Sequence, residues 1–209
     1  MSSRSLIRLV AWARSLAGEV LAPGALAVDL TAGGGRDTLF LWQQVAPQGL
    51  VVSFDIQPAA LVETAGSLRQ ANVPIHWPEP GCAPGDIPGV WLIENCHSRL
   101  ADFLKQPPCV VMANLGFHPG GDPSLITRPD TTLAALRAAA ALLASDGRLL
   151  ATVYPGHPGG EAEAAAVEAW FADLDSRVWD VLNLRAGNRR QTPVLLVAEK
   201  RGRRNGSCI

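Results

Sequence analysis

The sequence predicts an α/β fold in which one doubly wound, Rossmann-like sheet, mostly parallel, carries helices on both faces. Two observations support this prediction. Short apolar runs alternate with segments of helical character, which is the pattern of a parallel sheet. Near the end of the chain, two strand-like runs, 178–184 and 194–199, have only residues 185–193 between them. This connection is too short for a crossover helix, so the last two strands should form an antiparallel hairpin.

The remaining elements can be placed in order along the chain. Apolar residues at helical spacing predict an amphipathic helix at about 5–21. Short apolar runs predict strands at 25–30, 50–55, 90–94, 109–113 and 148–154. Helices are predicted between them, at 37–45, 58–71, 98–105, 131–143 and 161–174. Residues 74–89 contain five prolines and are predicted to form a loop.

Length and composition indicate one domain. The chain has 209 residues, of which 48% are hydrophobic, so a single domain at 1–200 can bury a sizeable core. We expect residues 201–209 to form a basic, unstructured tail. A net charge of −1 excludes a strongly basic nucleic-acid coat protein, but it allows a local basic patch.

The same composition bears on the cellular setting. Four widely spaced cysteines indicate an intracellular protein with neither a disulfide framework nor a zinc site. No apolar run is long enough to cross a membrane. We therefore expect a cytoplasmic protein, monomeric or homodimeric, that has no metal and no membrane partner.

A glycine-rich turn, Gly33–Gly35, follows the first strand. The dinucleotide fingerprint would need a third glycine at Thr38, which disfavours an NAD enzyme. Sites for S-adenosylmethionine instead carry an acidic residue before such a turn, and Asp29 could meet the ammonium group of that cofactor. Asp55, at the end of the second strand, could accept the ribose hydroxyls. The structural alternative is an ordinary strand–turn–helix junction.

A second polar group follows the fourth and fifth strands, at the same edge of the sheet. Asn114 and Phe117 have the spacing of the Asn/Asp-Pro-Pro-Tyr/Phe motif of amino-group methyltransferases. The Asn oxygen can accept an N–H of an amine, while the aromatic ring stacks on a planar base. Tyr154 ends the fifth strand and His157 follows it, and either of them, or water, could take the proton of the amine. The alternative is a Gly/Pro turn capped by the asparagine.

Local basic residues provide the only support for RNA binding. Arg185, Arg189 and Arg190 lie in the predicted hairpin loop, where they could attract phosphates. The alternative is an ordinary solvated basic surface.

These motifs together resemble one family. They are Asp-x-Thr-x-Gly-x-Gly-x-Asp-Thr-x-Phe-Leu at 29–41, Phe-Asp-Ile-Gln at 54–57, Asn-Leu-Gly-Phe-x-Pro-Gly-Gly-Asp at 114–122, Thr131-Thr132, and Tyr-x-Gly-His-Pro-Gly-Gly at 154–160. The chain is similar, from about residue 6 to 200, to the bacterial methyltransferase family long labelled "putative rRNA methylase". Characterised members of this family methylate the aminomethyl group of the wobble uridine in tRNA.

The resemblance implies a class I methyltransferase fold, S-adenosylmethionine as methyl donor, and 5-aminomethyl-(2-thio)uridine in the tRNA anticodon loop as acceptor. The product would be the 5-methylaminomethyl form. Together with the motifs, the resemblance gives a predicted cofactor site of Asp29, Thr31, Gly33, Gly35, Arg36, Asp37, Thr38, Asp55, Ile56, Gln57, Cys96, His97, Asn114, Leu115 and Gly116. The residues predicted to face the amine are Asn114, Phe117, Tyr154 and His157.

Three departures from the family pattern concern the substrate. Arg36 stands where the family usually has His, His118 stands where it commonly has Leu, and the stretch 74–89 is longer than usual. The alternatives left open are a methyltransferase for another RNA, one for a small-molecule amine, and a non-catalytic nucleotide- or RNA-binding protein on the same fold.

Overall fold

The computed structural model describes residues 8–79, 82–116, 126–156, 159–189 and 191–202. Its eight strands are β1 Leu26–Asp29, β2 Leu50–Asp55, β3 Ile75–His76, β4 Gly89–Glu94, β5 Val110–Asn114, β6 Arg148–Val153, β7 Trp179–Arg185 and β8 Val194–Lys200. Its five α-helices are α1 Leu9–Gly18, α2 Arg36–Val45, α3 Pro58–Gln70, α4 Pro129–Leu142 and α5 Gly160–Ala172. A 3-10 helix, His97–Asp102, follows β4.

The strands form one sheet in the order β3-β4-β2-β1-β5-β6-β8-β7. All pairs from β3 to β6 are parallel, and β8 runs antiparallel to both β6 and β7. The predicted doubly wound sheet with a terminal antiparallel hairpin is therefore confirmed. Its central strands are buried on both faces because helices cover both sides; all four residues of β1 are buried.

Two apolar clusters fill the space on either side of the sheet. One contains Phe54, Leu136 and Phe171, and the other contains Leu41, Leu61 and Val90. Helix α1 packs on the side of the sheet that holds the second cluster, and part-buried ion pairs also link it to the sheet.

That connection is made by Arg148, at the start of β6. Its Nη1 donates to the carbonyl oxygen of Leu16 and to Glu19, both at 2.6 Å, and its Nε donates to Glu199 at 2.6 Å. The N-terminal helix is thus tied to β6 and β8. It covers residues 9–18 of the predicted 5–21, and residues 1–7 lie outside the described chain.

The predicted loop at 74–89 contains one short strand that the sequence did not indicate. Residues 75 and 76 pair in parallel with Val90 and Trp91, and the His76 ring stacks on Trp91 at a centroid distance of 4.8 Å. The predicted helix at 98–105 is a 3-10 helix at 97–102. In the described parts of the chain, no helix is long and apolar enough to cross a membrane.

The sheet order fixes where a ligand can bind. Strands β2, β4 and β3 lie on one side of β1, and β5 lies on its other side. The loops that leave β1 and β5 therefore diverge, and a crevice opens between them at the carboxyl edge of the sheet.

Candidate active site

A cavity of about 410 Å³ lies in this crevice, a volume typical of small-molecule sites. It is formed by the segments that follow β1, β2, β4 and β5 and by the start of α4. The predicted cofactor residues on its wall are Thr31, Gly33, Arg36, Asp37, Asp55, Ile56, Gln57, Cys96, His97, Asn114 and Gly116. Wall residues that were not predicted for the cofactor are Leu30, Ala32, Gly34, Glu63, Asn95, Ile126, Thr127, Arg128 and Thr131.

The glycine turn requires glycine at Gly35 for two reasons. This residue caps α2 with a left-handed backbone, φ 77°, which favours glycine. A Cβ at this position would also lie 2.9 Å from the Cα of Thr64 in α3. The Thr64 hydroxyl donates to the carbonyl oxygen of Gly33 at 2.9 Å, so α3 holds the turn from behind. Gly35 thus shapes the cavity without lying on its wall.

Asp29 is buried beneath the turn, with 1% of its surface exposed. Its Oδ1 accepts the N–H of Thr31 at 3.0 Å, and its Oδ2 accepts the hydroxyl of Thr38 at 2.6 Å. Burial, and secondarily the charge of Asp37, raises the pKa of Asp29 to about 7. Asp29 and Thr38 therefore support the turn, and the prediction that the Asp29 carboxylate meets the cofactor directly does not fit this placement.

Asp37 is the carboxylate that the structure puts on the wall instead. It lies in the first turn of α2, with 12% of its side chain exposed, and its Oδ1 accepts from Nε of Arg14 at 2.7 Å. No hydrogen bond within the described parts of the chain involves Oδ2, so an ammonium group of a ligand would find its counter-charge here rather than at Asp29.

Asp55 connects the second strand to the turn. Its Oδ2 accepts the N–H of Gly33 at 3.0 Å, and its Oδ1 accepts the N–H of Gln57 at 2.9 Å. A carboxylate has about four acceptor positions. The Asp55 side chain is thus fixed by two backbone bonds and can still accept two ligand hydroxyls.

His97 presents an unsatisfied acceptor at the wall. The residue is 8% exposed, and its Nδ1 lies 3.2 Å from the carbonyl oxygen of Leu30. Burial lowers the pKa of His97, so the ring is neutral, with its proton on Nδ1 and a lone pair on Nε2. This Nε2 is buried and has no partner among the described residues. Such an atom is costly unless a ligand supplies a donor.

Asn114 and Tyr154, predicted from separate motifs, are brought together. Their side chains interact by a hydrogen bond, which lowers the pKa of Tyr154. Burial and the charge of Asp37 outweigh it and raise that pKa overall, so the phenol is neutral. An amide N–H that donates to the phenol oxygen leaves the carbonyl oxygen of Asn114 for another donor. The Thr31 hydroxyl fixes the backbone by accepting the Asn114 N–H at 2.8 Å.

Thr127 and Glu163, neither of which was predicted for the site, hold the segment beyond Asn114. Gly116 donates its N–H to Oγ1 of Thr127 at 2.8 Å, and this hydroxyl donates to Oε2 of Glu163 at 2.6 Å. Thr132 donates to the other oxygen of Glu163 at 2.7 Å. The Thr131-Thr132 pair was the only sequence signal for this network.

Several predicted residues lie elsewhere or are not described. Leu115 is 2% exposed and belongs to the core rather than to the wall. Phe117, His157 and Arg190 lie outside the described residues.

The two described arginines of the hairpin differ. Arg185 forms an ion pair with Glu168 of α5, whereas Arg189 is exposed and forms no ion pair with any described residue. Both lie at the carboxyl edge of the sheet, because Arg185 and Val194 pair next to the end of β6.

Comparison with known proteins agrees with this geometry. Residues 51–200 match the protein family described as "Putative rRNA methylase". A chloroplastic tRNA (mnm5s2U34)-methyltransferase from Arabidopsis thaliana is 36% identical over 190 residues; the match covers 88% of this chain and 66% of the plant protein.

Two solved structures are also similar. A "putative rRNA-methylase" from Clostridium thermocellum is 31% identical, with a TM-score of 0.81, over 91% of this chain and 96% of the other. A "putative methyltransferase" from Streptococcus mutans, in complex with SAH, is 29% identical, with a TM-score of 0.79, over 94% and 99% of the two chains. The family match at residues 51–200 covers well above half of this chain, which therefore belongs to the rRNA methylase family.

Proposed function

We propose that this protein is an S-adenosylmethionine-dependent N-methyltransferase that converts 5-aminomethyl-(2-thio)uridine at the tRNA wobble position to the 5-methylaminomethyl form. The observation that carries the proposal is the Asn114–Tyr154 pair beside the cavity, because it presents a fixed amide oxygen that suits an amine. The activity in the name of the plant relative and the SAH bound by the S. mutans protein support it.

The cavity fits S-adenosylmethionine in its donors and acceptors. The orphaned Nε2 of His97 suits the N–H donors of an adenine, and the Asp55 carboxylate suits two ribose hydroxyls. Asp37 suits the ammonium group of the methionine portion. The glycine turn lets the backbone approach a ligand closely. When bound, the cofactor supplies an electrophilic methyl group.

The residues of the chain then have distinct tasks. The Asn114 oxygen accepts one N–H of the neutral substrate amine and so directs its nitrogen lone pair. Tyr154 holds the Asn114 amide in this orientation. Since burial raises its pKa, Tyr154 is not a phenolate base at neutral pH, and the proton released as the amine gains its methyl group goes to water or to His157. The secondary amine is the product.

Contact with tRNA would follow the carboxyl edge of the sheet. The hairpin loop carries Arg189 and touches the segment after β6: a Cβ at Gly156 would lie 3.7 Å from the carbonyl oxygen of Gln191. Arg36 and Arg128 are exposed at the cavity. A wobble base in a single-stranded loop can be turned into a pocket at low cost while phosphates are held by such arginines.

The Asn114→Ala variant tests the proposal. Cofactor affinity, measured by calorimetry with SAH, should stay within a few-fold of wild type, because other wall residues hold the cofactor. Methyl transfer to tRNA should fall about a hundredfold or more, since positioning can contribute that much. Asn183→Ala, on the outer strand β7, is the control and should retain full activity. A fully active Asn114→Ala enzyme would show that the amide does not orient the amine.

A further inference from the structure

We infer that Glu163 is a positioning residue for methyl transfer, acting through Thr127 on the cavity wall next to Asn114. The inference rests on the proposed function and deepens it. Glu163 lies on α5 and does not line the cavity, so it touches neither cofactor nor substrate directly. Its effect must pass through the groups that it holds.

Glu163 is a buried carboxylate with both oxygens occupied. It is 2% exposed, its Oε2 accepts the Thr127 hydroxyl at 2.6 Å, and its Oε1 accepts the Thr132 hydroxyl at 2.7 Å. Burying a carboxylate is unfavourable unless such bonds compensate, whereas an apolar side chain would pack on α5 without that cost. Packing alone therefore does not explain a glutamate here.

Thr127 passes the constraint to the wall. Its Oγ1 accepts the Gly116 N–H at 2.8 Å, and its own N–H donates to the Gly116 carbonyl oxygen at 2.9 Å. Because the hydroxyl proton points to Glu163, the oxygen lone pairs are directed at Gly116. Gly116 lies two residues beyond Asn114, so Glu163 helps to fix the backbone that carries the amine-facing amide.

The carboxylate acts on a second wall residue. The charge of Glu163 raises the pKa of His97, against the larger effect of burial, so the two groups are electrostatically coupled. Glu163 thus lies behind both the Asn114 side and the His97 side of the cavity. A helix-docking role alone would need only its bond to Thr132 of α4.

Thr127 and Thr132 provide a matched pair of variants, because each donates one hydroxyl to the same carboxylate. Thr127→Val and Thr132→Val should lower the melting temperature by comparable amounts. Only Thr127→Val removes the acceptor of the Gly116 N–H, so it should lower kcat at least tenfold and accelerate hydrogen exchange of the Gly116 amide. Thr132→Val should keep kcat within about twofold of wild type. Equal kcat values for the two variants would refute the inference.

Two substitutions of Glu163 itself test the same point away from the wall. In Glu163→Gln the amide oxygen can still accept from Thr127, while the amide nitrogen can donate to the hydroxyl oxygen of Thr132. This variant should retain most of kcat. Glu163→Met has similar size but no acceptor, so its kcat should fall at least tenfold with little change in KM for tRNA.

The outcomes separate the inference from the proposed function. If wild-type protein binds SAH but methylates no tRNA, the proposed function fails, whatever the variants do. If wild type is active and Glu163→Met has wild-type kcat while its melting temperature falls, Glu163 is only a structural residue and the inference fails. Reduced kcat in Glu163→Met together with rescue in Glu163→Gln is the expected result.

Discussion

Replacing Asp29 by Asn should remove a pH-dependent loss of stability. The folded protein holds the pKa of this carboxyl near 7, against an ordinary value of 3.8. The folded state binds the Asp29 proton more tightly than the unfolded state does. Below pH 3.8 the Asp29 carboxyl therefore does not lower the free energy of unfolding, whereas between pH 3.8 and about pH 7 it lowers that free energy progressively. The two pKa values differ by about three pH units, and each unit corresponds to 1.36 kcal/mol, so the full loss of stability above pH 7 is about 4 kcal/mol.

The Asp29→Asn variant should preserve the surrounding hydrogen bonds. The new amide oxygen can accept the N–H of Thr31 as Oδ1 of Asp29 does now. The new amide nitrogen can donate to Oγ1 of Thr38, whose hydroxyl can turn to Ser53, 2.8 Å away. The substitution thus removes the buried charge with little other change.

Urea unfolding at several pH values measures the effect. The stability of Asp29→Asn relative to wild type should increase by on the order of 2–3 kcal/mol between pH 5 and pH 8. Asp86→Asn, which changes an exposed carboxylate, should show no such trend. Affinity for SAH should fall less than tenfold, because Asp29 lies behind the turn. A stability difference that does not change with pH would refute the assigned burial of charge.

Two further predictions concern ligand binding. His97→Asn keeps a donor for the carbonyl oxygen of Leu30 but loses the Nε2 acceptor, so calorimetry should show SAH affinity about tenfold weaker, the value of one hydrogen bond; unchanged affinity would contradict the role of that atom. Arg189→Ala should weaken tRNA binding, and the slope of log affinity against log salt concentration should become shallower by about one. Arg185→Ala should have smaller effects, because Glu168 already pairs with that side chain. Filter-binding titrations in which Arg185→Ala has the larger effect would contradict this assignment.

The sheet could be predicted because alternating apolar and helical segments are a local property of the sequence. The two-residue strand β3 could not, because so short a run beside Pro74 has no periodicity. Glu163 looked like one of several glutamates in an alanine-rich helix, and only the packing of α5 against α4 buries it. The sequence likewise does not show that Arg185 differs from Arg189, because the ion pair of Arg185 with Glu168 of α5 is a tertiary contact.

Within the site, the sequence indicated which residues gather but not which way they face. Asp29 and Asp37 both flank the glycine turn, and only the backbone path decides that Asp37 lines the cavity while Asp29 lies beneath it. The pairing of Asn114 with Tyr154 depends on β5 and β6 being neighbours, which the sheet order determines.

Nucleoside mass spectrometry of tRNA tests the central claim most directly. Unmethylated tRNA carrying the 5-aminomethyl wobble nucleoside is incubated with the full chain and S-adenosylmethionine, then digested and analysed. We expect conversion of that nucleoside to its 5-methylaminomethyl form by the wild-type protein, and conversion about a hundredfold slower or more by Asn114→Ala. An unchanged wobble nucleoside, with SAH binding intact in the same preparation, would contradict the proposed activity.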